Sequence, residues 1–367
     1  MAFPVGWTLV GVSNSKSIGL AGDVALFHFY LNEDQIPQKV FDTCHSTGGD
    51  IRITKINNPS SVSDLLNLEI KQITAGTPTA EFYVKSDLDK DGGDTIYWWT
   101  TGGSETQPGY PNDGNSLEVF GNTTGISVTY HMTKNVTITE SSVYGYNGTD
   151  VATSDIAGYI GQARDFNGST SEVTKSSAAG LVPSTSENLI ISFWAKAGSL
   201  SDYDVLVHKG NTDWTSGGWG VYYLNNAIHF WINSYLGADV ISVALTSTDT
   251  DWHLFQCVID MVSGTSGIYM MKDYNAATAQ DTSTADMTDG GDNLVMGQDE
   301  TDLYSFDGIL DEVRVRISTL EGGPQNLWRY TEWKNLSDPD SLWEIGTLPS
   351  SNNLRGNLKS NLLGGFQ

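Results

Sequence analysis

Short runs in which apolar and polar residues alternate fill the chain from residue 3 to about 108. The alternation has a period of two, and the runs are rich in β-branched and aromatic residues, which predicts half-buried β-strands. Turn-forming residues separate the runs at even intervals, a spacing that is typical of a β-sandwich. The clearest runs are VALFHFYL, DIRITKI, LNLEIKQIT, AEFYVKS and TIYWWTT. We therefore predict an N-terminal antiparallel β-sandwich over residues 1–108.

A second block of strand-like runs extends over residues 118–320, after a linker predicted at 109–117 in a stretch rich in Pro, Gly and Asn. Its runs include LIISFWAKA, GWGVYYL, AIHFWIN, WHLFQCVID and ILDEVRVRI. Asn225 and Asn226 separate two of these runs. Because Asn tolerates a positive φ, this pair predicts a two-residue type I′ hairpin turn.

The pattern changes after residue 320. Residues 321–348 include GPQNLWRYTEWKNL, which predicts a short helix with Pro324 in its first turn. Residues 349–367 form a tail in which leucines recur at every fourth position beside basic residues. We predict that this tail docks onto a partner, with a frayed C-terminus as the alternative. The predicted docking residues are Leu354, Arg355, Leu358, Lys359 and Leu362.

The composition is acidic, and it narrows the classes of partner. The 367 residues carry a formal net charge of −25 because there are only 19 Lys and Arg. Such a field repels nucleic-acid phosphates and anionic lipid headgroups, so no nucleic-acid partner is predicted. No apolar run approaches the roughly 18 residues that a membrane span needs, so no membrane insertion is predicted either. Neutral polymers such as glycans remain compatible with this charge.

Four segments of the second block resemble, in order, the concanavalin A-like (laminin G type) jelly-roll family. GYIGQARDFNG is similar to the family's opening strand and turn, and LIISFWAKA is similar to the strand that carries a Trp, here Trp194. DTDWHLFQCVID resembles the strand with adjacent Trp252 and His253, and FDGILDEVRVRI resembles the closing strand. The resemblance implies a jelly roll with a rim of loops at which relatives often bind calcium and ligand.

The first block resembles a bacterial and phage domain family of uncharacterised function, which commonly precedes a laminin G type domain. The matching features are FPVGWT, DVALFHFYLNEDQIPQKVFDTC followed by GGDIRIT, and AEFYVKSDL leading to DTIYWW. Together, the two resemblances imply an all-β chain of two β-sandwich domains. The second would be the concanavalin A-like jelly roll, followed by a short C-terminal helix and tail.

The turn in GYIGQARDFNGSTSEV requires residues that tolerate a positive φ between two strands at a sheet edge. Asn167 and Gly168 supply two such residues. The carboxylate of Asp165 is expected to accept the turn amides, and similar positions help to bind calcium in some relatives of the jelly-roll family. The structural role is the favoured interpretation here.

Acidic loop residues are the candidate metal ligands. In DLDKDGGD, Asp87, Asp89 and Asp91 alternate as the oxygen ligands of an EF-hand loop do. Trp98, however, stands where such a loop places a bidentate Glu. An exposed acidic hairpin tip is therefore favoured, and a calcium site is the alternative. The candidate ligands for calcium, the one cofactor predicted, are Asp87, Asp89, Asp91, Asp165, Asp299 and Asp302.

Aromatic side chains are the candidate carbohydrate ligands, because their faces stack on the apolar faces of sugar rings. Trp214 lies in the Gly-rich segment NTDWTSGGWG, and Tyr235 ends AIHFWINSY. Trp219 and Trp231 lie in predicted strands, where half of such side chains face the core, so a core position is favoured for both. The candidate carbohydrate-binding residues are Trp214, Trp219, Trp231 and Tyr235.

No strand carries the alternating carboxylates with which jelly-roll glucanases flank a glycosidic bond about 5 Å apart. We therefore predict a protein with no enzymatic activity and no catalytic residues. The N-terminus, MAFPVGWTLVGVSNS, lacks a secretion-signal pattern, which predicts synthesis in the cytoplasm. An adhesive module of this kind fits a virion: a head decoration, head fibre or tail fibre component of a phage, assembled in the host cytoplasm.

In this interpretation the jelly roll faces outward to bind polysaccharide or another cell-surface glycan. The tail docks onto other virion structural proteins, and the copies form a homo-oligomer or a multicopy array. The first alternative is a bacterial cell-surface or secreted lectin, with an extracellular location. The second is a purely architectural spacer without a ligand.

Overall fold

The computed structural model describes residues 6–17, 22–74, 78–102, 118–121, 127–133, 137–142, 144–199, 203–210, 217–232, 241–262, 267–275, 279–281, 292–299, 303–319 and 327–348. The chain divides into two compact units. The first comprises Met1–Asn112 together with Asp338–Gln367, and the second comprises Asp113–Ser337. Both are built from antiparallel sheets, so the predicted all-β class is confirmed. In the described ranges, no helix is both long and apolar enough to cross a membrane.

The first unit contains two antiparallel sheets. Its strands are β1 (Thr8–Ser15), β2 (Val24–Leu31), β3 (Arg52–Thr54), β4 (Asn67–Thr74), β5 (Thr79–Leu88), β6 (Thr95–Thr100) and β23 (Trp343–Ile345). The four-stranded sheet has the order β23-β1-β6-β3, and the three-stranded sheet has the order β2-β5-β4. Helix α1 (Gln38–Thr43) follows β2. The strands carry runs of consecutive buried residues, and Phe29, Phe82 and Trp98 are among the largest fully buried side chains.

The predicted C-terminal extension, residues 321–348, is divided between the two units. The predicted helix is confirmed as α2 (Leu327–Ser337), which belongs to the second unit, and Pro324 lies outside the described residues. Strand β23 belongs to the first unit, where it pairs antiparallel with β1 and places Ile345 opposite Ser13. Trp343 is fully buried and stacks on Phe29 with ring centroids 4.6 Å apart. The first unit is therefore discontinuous in sequence.

Two eight-stranded antiparallel sheets form the second unit. Sheet A has the order β10-β11-β22-β13-β18-β19-β20, with β7 also paired to β22, and sheet B has the order β17-β16-β15-β14-β21-β12-β9-β8. The strands are β7 (Ser127–Tyr130), β8 (Thr137–Ile138), β9 (Gly148–Val151), β10 (Ser154–Ala157), β11 (Gln162–Asn167), β12 (Glu172–Lys175), β13 (Asn188–Ala197), β14 (Val205–Lys209), β15 (Trp219–Leu224), β16 (Ala227–Ile232), β17 (Ile241–Thr246), β18 (His253–Asp260), β19 (Gly267–Lys272), β20 (Ala279–Asp281), β21 (Leu294–Met296) and β22 (Asp307–Ser318). Apolar residues from the inner faces of both sheets meet in one buried core, which makes the unit a jelly-roll sandwich.

The predicted hairpin turn at Asn225–Asn226 is confirmed. Both residues have positive φ, +52° and +62°, and Leu224 lies opposite Ala227 across the turn. The local sequence was sufficient here because the turn type depends on two consecutive residues that tolerate this conformation.

The turn after Asn167 differs from the prediction. It connects β11 of sheet A to β12 of sheet B, rather than two strands at one sheet edge. Of the predicted pair, only Gly168 has a positive φ, +68°. The Oδ1 atom of Asn167 accepts the amides of Ser169 and Thr170, both at 2.9 Å. Asp165 lies inside β11, opposite Ser154 on β10, and its Oδ2 accepts the hydroxyl of Ser154 at 3.4 Å, so the side-chain acceptor of this turn is Asn167 and not the predicted Asp165.

Helix α2 lies against the outer face of sheet A, over buried polar side chains. The carboxylate of Glu332 accepts hydrogen bonds from Ser192 Oγ at 3.1 Å and from Gln256 Nε2 at 2.9 Å. It also pairs with Arg314 Nη1 at 3.0 Å. Because all of these groups are buried, the helix is fixed to β13, β18 and β22 by directional bonds as well as by apolar contact.

Candidate functional site

The outer face of sheet B, on the side away from the core, carries a row of nearly parallel rings. The hairpin register places Tyr222 opposite His229 and Gly220 opposite Trp231. The rings of Tyr222 and His229 are 5.2 Å apart with an interplanar angle of 18°. Tyr203 continues the row, with its ring 6.4 Å from that of Tyr222 and tilted by 13°. A short cross-strand pair thus sets the spacing of the row.

The floor beneath these rings is tightly packed. Tyr222, Trp231 and Val205 form a small buried cluster, against which Tyr203 and Leu224 pack. The indole of Trp231 lies over Gly220, where an added Cβ atom would come within 2.7 Å of the indole Nε1. Residue 220 must therefore lack a side chain for Trp231 to lie flat on the sheet. A rigid floor holds the rings in fixed positions, which lowers the entropy cost of binding a ligand.

Loops bring the more exposed rings to the edge of this face. The Oδ1 atom of buried Asp299 accepts the amides of Leu303 at 2.9 Å and of Tyr304 at 3.0 Å, which closes the loop after β21. Tyr304, 37% exposed, lies 5.2 Å from the ring of Tyr203, and Leu303 is 73% exposed. Tyr203 has a φ of +72°. We call Tyr203, Tyr222, His229 and Tyr304 the aromatic row. Tyr222 is only 2% exposed and supports the row from the floor, so the partly exposed rings are those of Tyr203, His229 and Tyr304.

Burial favours the neutral form of two imidazoles on this face. Burial lowers the pKa of His229, and burial lowers the pKa of His208, opposite Gly220, to about 4 although the charge of Asp299 acts against it. The row itself contains no carboxylate. Neutral rings flanked by hydroxyl and imidazole groups are suited to stacking and hydrogen bonding with a neutral ligand.

Comparison with known families agrees with the sheet topology. Residues 167–321, which lie within the second unit, match Laminin_G_3, described as the concanavalin A-like lectin/glucanases superfamily. The second unit has the fold of a concanavalin A-like jelly roll. No curated protein sequence matches the chain.

Solved structures similar to the chain include an arabinanase domain and the binding domains of two toxins or toxin-like proteins. Domain 4 of AbnA, a GH43 extracellular arabinanase from Geobacillus stearothermophilus in complex with arabinotriose, is 14% identical with a TM-score of 0.45, and the match covers 59% of this chain and 99% of that one. The binding domain of botulinum neurotoxin DC in complex with SialylT is 10% identical with a TM-score of 0.43, covering 58% and 52%. The binding domain of Paraclostridial Mosquitocidal Protein 1 is 11% identical with a TM-score of 0.44, covering 59% and 52%.

The jelly roll places two of the predicted carbohydrate-binding tryptophans, Trp219 and Trp231, below its surface. Trp219 is fully buried in the core and donates its indole N–H to the carbonyl oxygen of Leu181 at 2.8 Å. Trp231 lies in the floor of the aromatic row and is 2% exposed. Neither side chain presents a ring face to a ligand, so both are structural. Trp214 and Tyr235 lie outside the described residues.

The DLDKDGGD segment of the first unit is a hydrogen-bonded loop and not the predicted hairpin tip, because it connects β5 to β6, which belong to different sheets. Asp87 Oδ1 accepts the amide of Leu26, and Asp89 Oδ1 accepts the amide of Asp91, both at 2.8 Å. The carboxylate of Asp91 pairs with Lys90. All three carboxylates are exposed, and they do not form a group whose oxygens lie within 4.8 Å of one another. Each one therefore serves a separate local contact in this structure.

The other predicted residues serve the jelly roll or lie outside the described ranges. Asp165 is half-buried in β11, and Asp299 closes the loop of the aromatic row. Asp302 lies outside the described residues, as does the whole predicted docking set. That set is Leu354, Arg355, Leu358, Lys359 and Leu362.

Proposed function

We propose that the jelly roll binds carbohydrate through the aromatic row of sheet B and does not hydrolyse it. One observation carries the proposal: parallel rings lie over a packed floor on an outer sheet face, and Tyr304 is exposed at their edge. Aromatic faces stack on the apolar faces of sugar rings. The family description, which joins lectins and glucanases, fits this class of ligand. Without a carboxylate pair, the row supports binding rather than acid–base chemistry.

Truncation of Tyr304 tests this site. We expect Tyr304→Ala to weaken binding of neutral oligosaccharides about tenfold, because stacking and burial of one ring contribute on the order of 1–2 kcal/mol. Calorimetric titration with arabino-, malto- and cello-oligosaccharides measures the affinity. Tyr159→Ala is the matched control, because Tyr159 is 39% exposed and lies on the sheet A side. The proposal fails if no oligosaccharide binds at millimolar concentration, or if Tyr304→Ala binds as tightly as the wild type.

We also propose a setting for this binding: display in many copies on a phage particle, with the C-terminal tail on other virion proteins. The resemblance of the first unit to a bacterial and phage domain family supports it. Multicopy display would raise the avidity of a weak site without new contacts. Mass spectrometry of purified virions tests the setting, since absence of the chain from particles would contradict it. A neighbourhood of polysaccharide or secretion genes would favour the bacterial surface lectin instead.

Calcium binding at the acidic DLDKDGGD loop between β5 and β6 is a separate proposal. Calorimetric titration of the full chain with calcium, repeated with Asp89→Asn, tests it. Heat of binding that disappears in the variant supports a site that contains Asp89, and heat that is unchanged contradicts it.

A further inference from the structure

Helix α2 of the jelly roll keeps three large side chains half-exposed on one flank. Tyr330, Trp333 and Lys334 stand at i, i+3 and i+4, which places them on the same side of the helix. The rings of Tyr330 and Trp333 are 5.9 Å apart. Other residues already anchor the helix by burial: Trp328, Arg329, Thr331, Glu332, Asn335 and Leu336. The helix is therefore anchored on sheet A by residues other than these three.

A turn after β19 adds a third ring to this flank. The ring of Tyr274 lies 5.1 Å from that of Tyr330 and 6.1 Å from that of Trp333, with an angle of 23° to the latter. Beneath it, Tyr274 packs on a small buried cluster of sheet A that includes Val258 and Met271. All three rings are half-buried, so protein supports one side of the cluster while part of each ring faces solvent.

The turn holds Tyr274 in a backbone conformation that its side chain disfavours. Asp273 and Tyr274 have φ of +52° and +50°, where the Cβ atom of a bulky residue is crowded. Asp273 secures the turn: its N–H donates to the carbonyl oxygen of Leu254 at 2.9 Å, and its Oδ1 accepts the amide of Leu254 at 3.0 Å. The turn thereby fixes the ring of Tyr274 beside those of Tyr330 and Trp333.

Lys334 adds a positive charge to the edge of the cluster. Its Nζ atom lies 5.8 Å from the ring centroid of Tyr330. Among the described residues, no carboxylate oxygen lies within 4.0 Å of this Nζ atom. Lys272, which precedes Tyr274 by two residues, is by contrast paired with Asp249. In a chain with a net charge of −25, this cation beside three rings is suited to an anionic group on a stacked ligand.

We propose that Tyr274, Tyr330, Trp333 and Lys334 form a second ligand site, which takes a saccharide that carries a carboxylate, such as a uronate. The sugar ring stacks on the aromatic cluster, and its carboxylate pairs with Lys334. This site lies on sheet A, apart from the aromatic row of sheet B, so it does not rest on the proposed function of that row.

Calorimetric titration of the full chain with an oligogalacturonate tests the second site. The methyl-esterified form of the same oligosaccharide is the uncharged control ligand. We expect Lys334→Gln to weaken oligogalacturonate binding roughly tenfold, because the variant loses the charge-assisted hydrogen bond to the carboxylate. The control variant is Lys175→Gln, because Lys175 Nζ also lies over a tyrosine ring, 5.6 Å from the centroid of Tyr146. Binding to this variant should equal that of the wild type.

Three results would overturn the second site. They are an absence of oligogalacturonate binding at millimolar concentration, equal affinity for the esterified form, and equal losses in the two lysine variants. Trp333→Ala provides a second measure, because removal of the ring should weaken the charged and the esterified ligands alike. Tyr304→Ala separates the two proposals: it should leave oligogalacturonate affinity unchanged whether or not it affects neutral oligosaccharides.

Discussion

Glu140 is a carboxyl group that the jelly roll keeps largely protonated below neutral pH. It is 2% exposed, its Oε1 accepts the amide of Thr129 at 3.4 Å, and its N–H donates to Asn147 Oδ1 at 3.0 Å. Burial raises the pKa of Glu140 from 4.5 to about 7, although hydrogen bonds from Ser142 and nearby amides act in the opposite direction. In the unfolded chain the group ionises at its usual pKa.

The pH dependence of stability follows from this difference. A raised folded-state pKa gives stability that is fully present below pH 4.5 and is lost as the pH rises through about 7. At pH 8, we expect Glu140→Gln to raise the free energy of unfolding by on the order of 3 kcal/mol relative to the wild type. At pH 4, the same substitution should raise it little. Urea unfolding at the two pH values measures it. An equal difference at both pH values would show that ionisation of Glu140 is not the cause.

The residues of the two sites differ in how far the sequence could reveal them. The pairing of Tyr222 with His229 follows from the hairpin register, which Asn225–Asn226 determines. This half of the aromatic row could therefore be predicted from the sequence. Tyr203 and Tyr304 are brought to the row by separate loops, and no local pattern indicates that they meet. The prediction for the turn at Asn167 was wrong because it placed both flanking strands in one sheet, whereas they belong to two sheets.

The β15–β16 hairpin is an element whose stability depends on one backbone conformation. Asn226 has a φ of +62°, which glycine adopts freely and a residue with a plain Cβ adopts at a cost of about 1–2 kcal/mol. We expect Asn226→Ala to lower the free energy of unfolding by about 1 kcal/mol and Asn226→Gly to leave it nearly unchanged. Chemical denaturation compares the three proteins. Equal stabilities of the Ala and Gly variants would contradict the conformational explanation.

The strands and the helix could be predicted from the sequence more readily than the strands that lie beside them. Period-two alternation indicated the strands of both units, and the helix at Leu327–Ser337 lies in the segment predicted for it. Alternation, however, shows that a strand has one buried face and not which strand lies beside it. Strand β23 illustrates the limit: its three residues give no periodic signal, yet Trp343 completes a core built from residues at the other end of the chain.

The first unit depends on a segment that follows the jelly roll in sequence. Ending the chain after Ser337 removes β23, exposes the edge of β1 and deletes the ring that stacks on Phe29. We expect this truncation to abolish or strongly lower the melting transition of the first unit and to leave that of the jelly roll in place. Calorimetry with limited proteolysis distinguishes the two transitions. A chain ended after Leu348 is the control and should keep both transitions. If the chain ended after Ser337 also keeps both transitions, the first unit does not depend on β23.

The position of β23 also has a consequence for synthesis. Chains emerge from the ribosome N-terminus first, and domains generally fold as units while they emerge. The strands β1 to β6 emerge early, but β1 gains its partner β23 only after Asp113–Ser337 has left the ribosome. During that interval, β1 presents unpaired backbone groups on which a strand of a neighbouring nascent chain can pair wrongly. The first unit is therefore synthesised first but completed last, because the jelly roll can fold before β23 has been made.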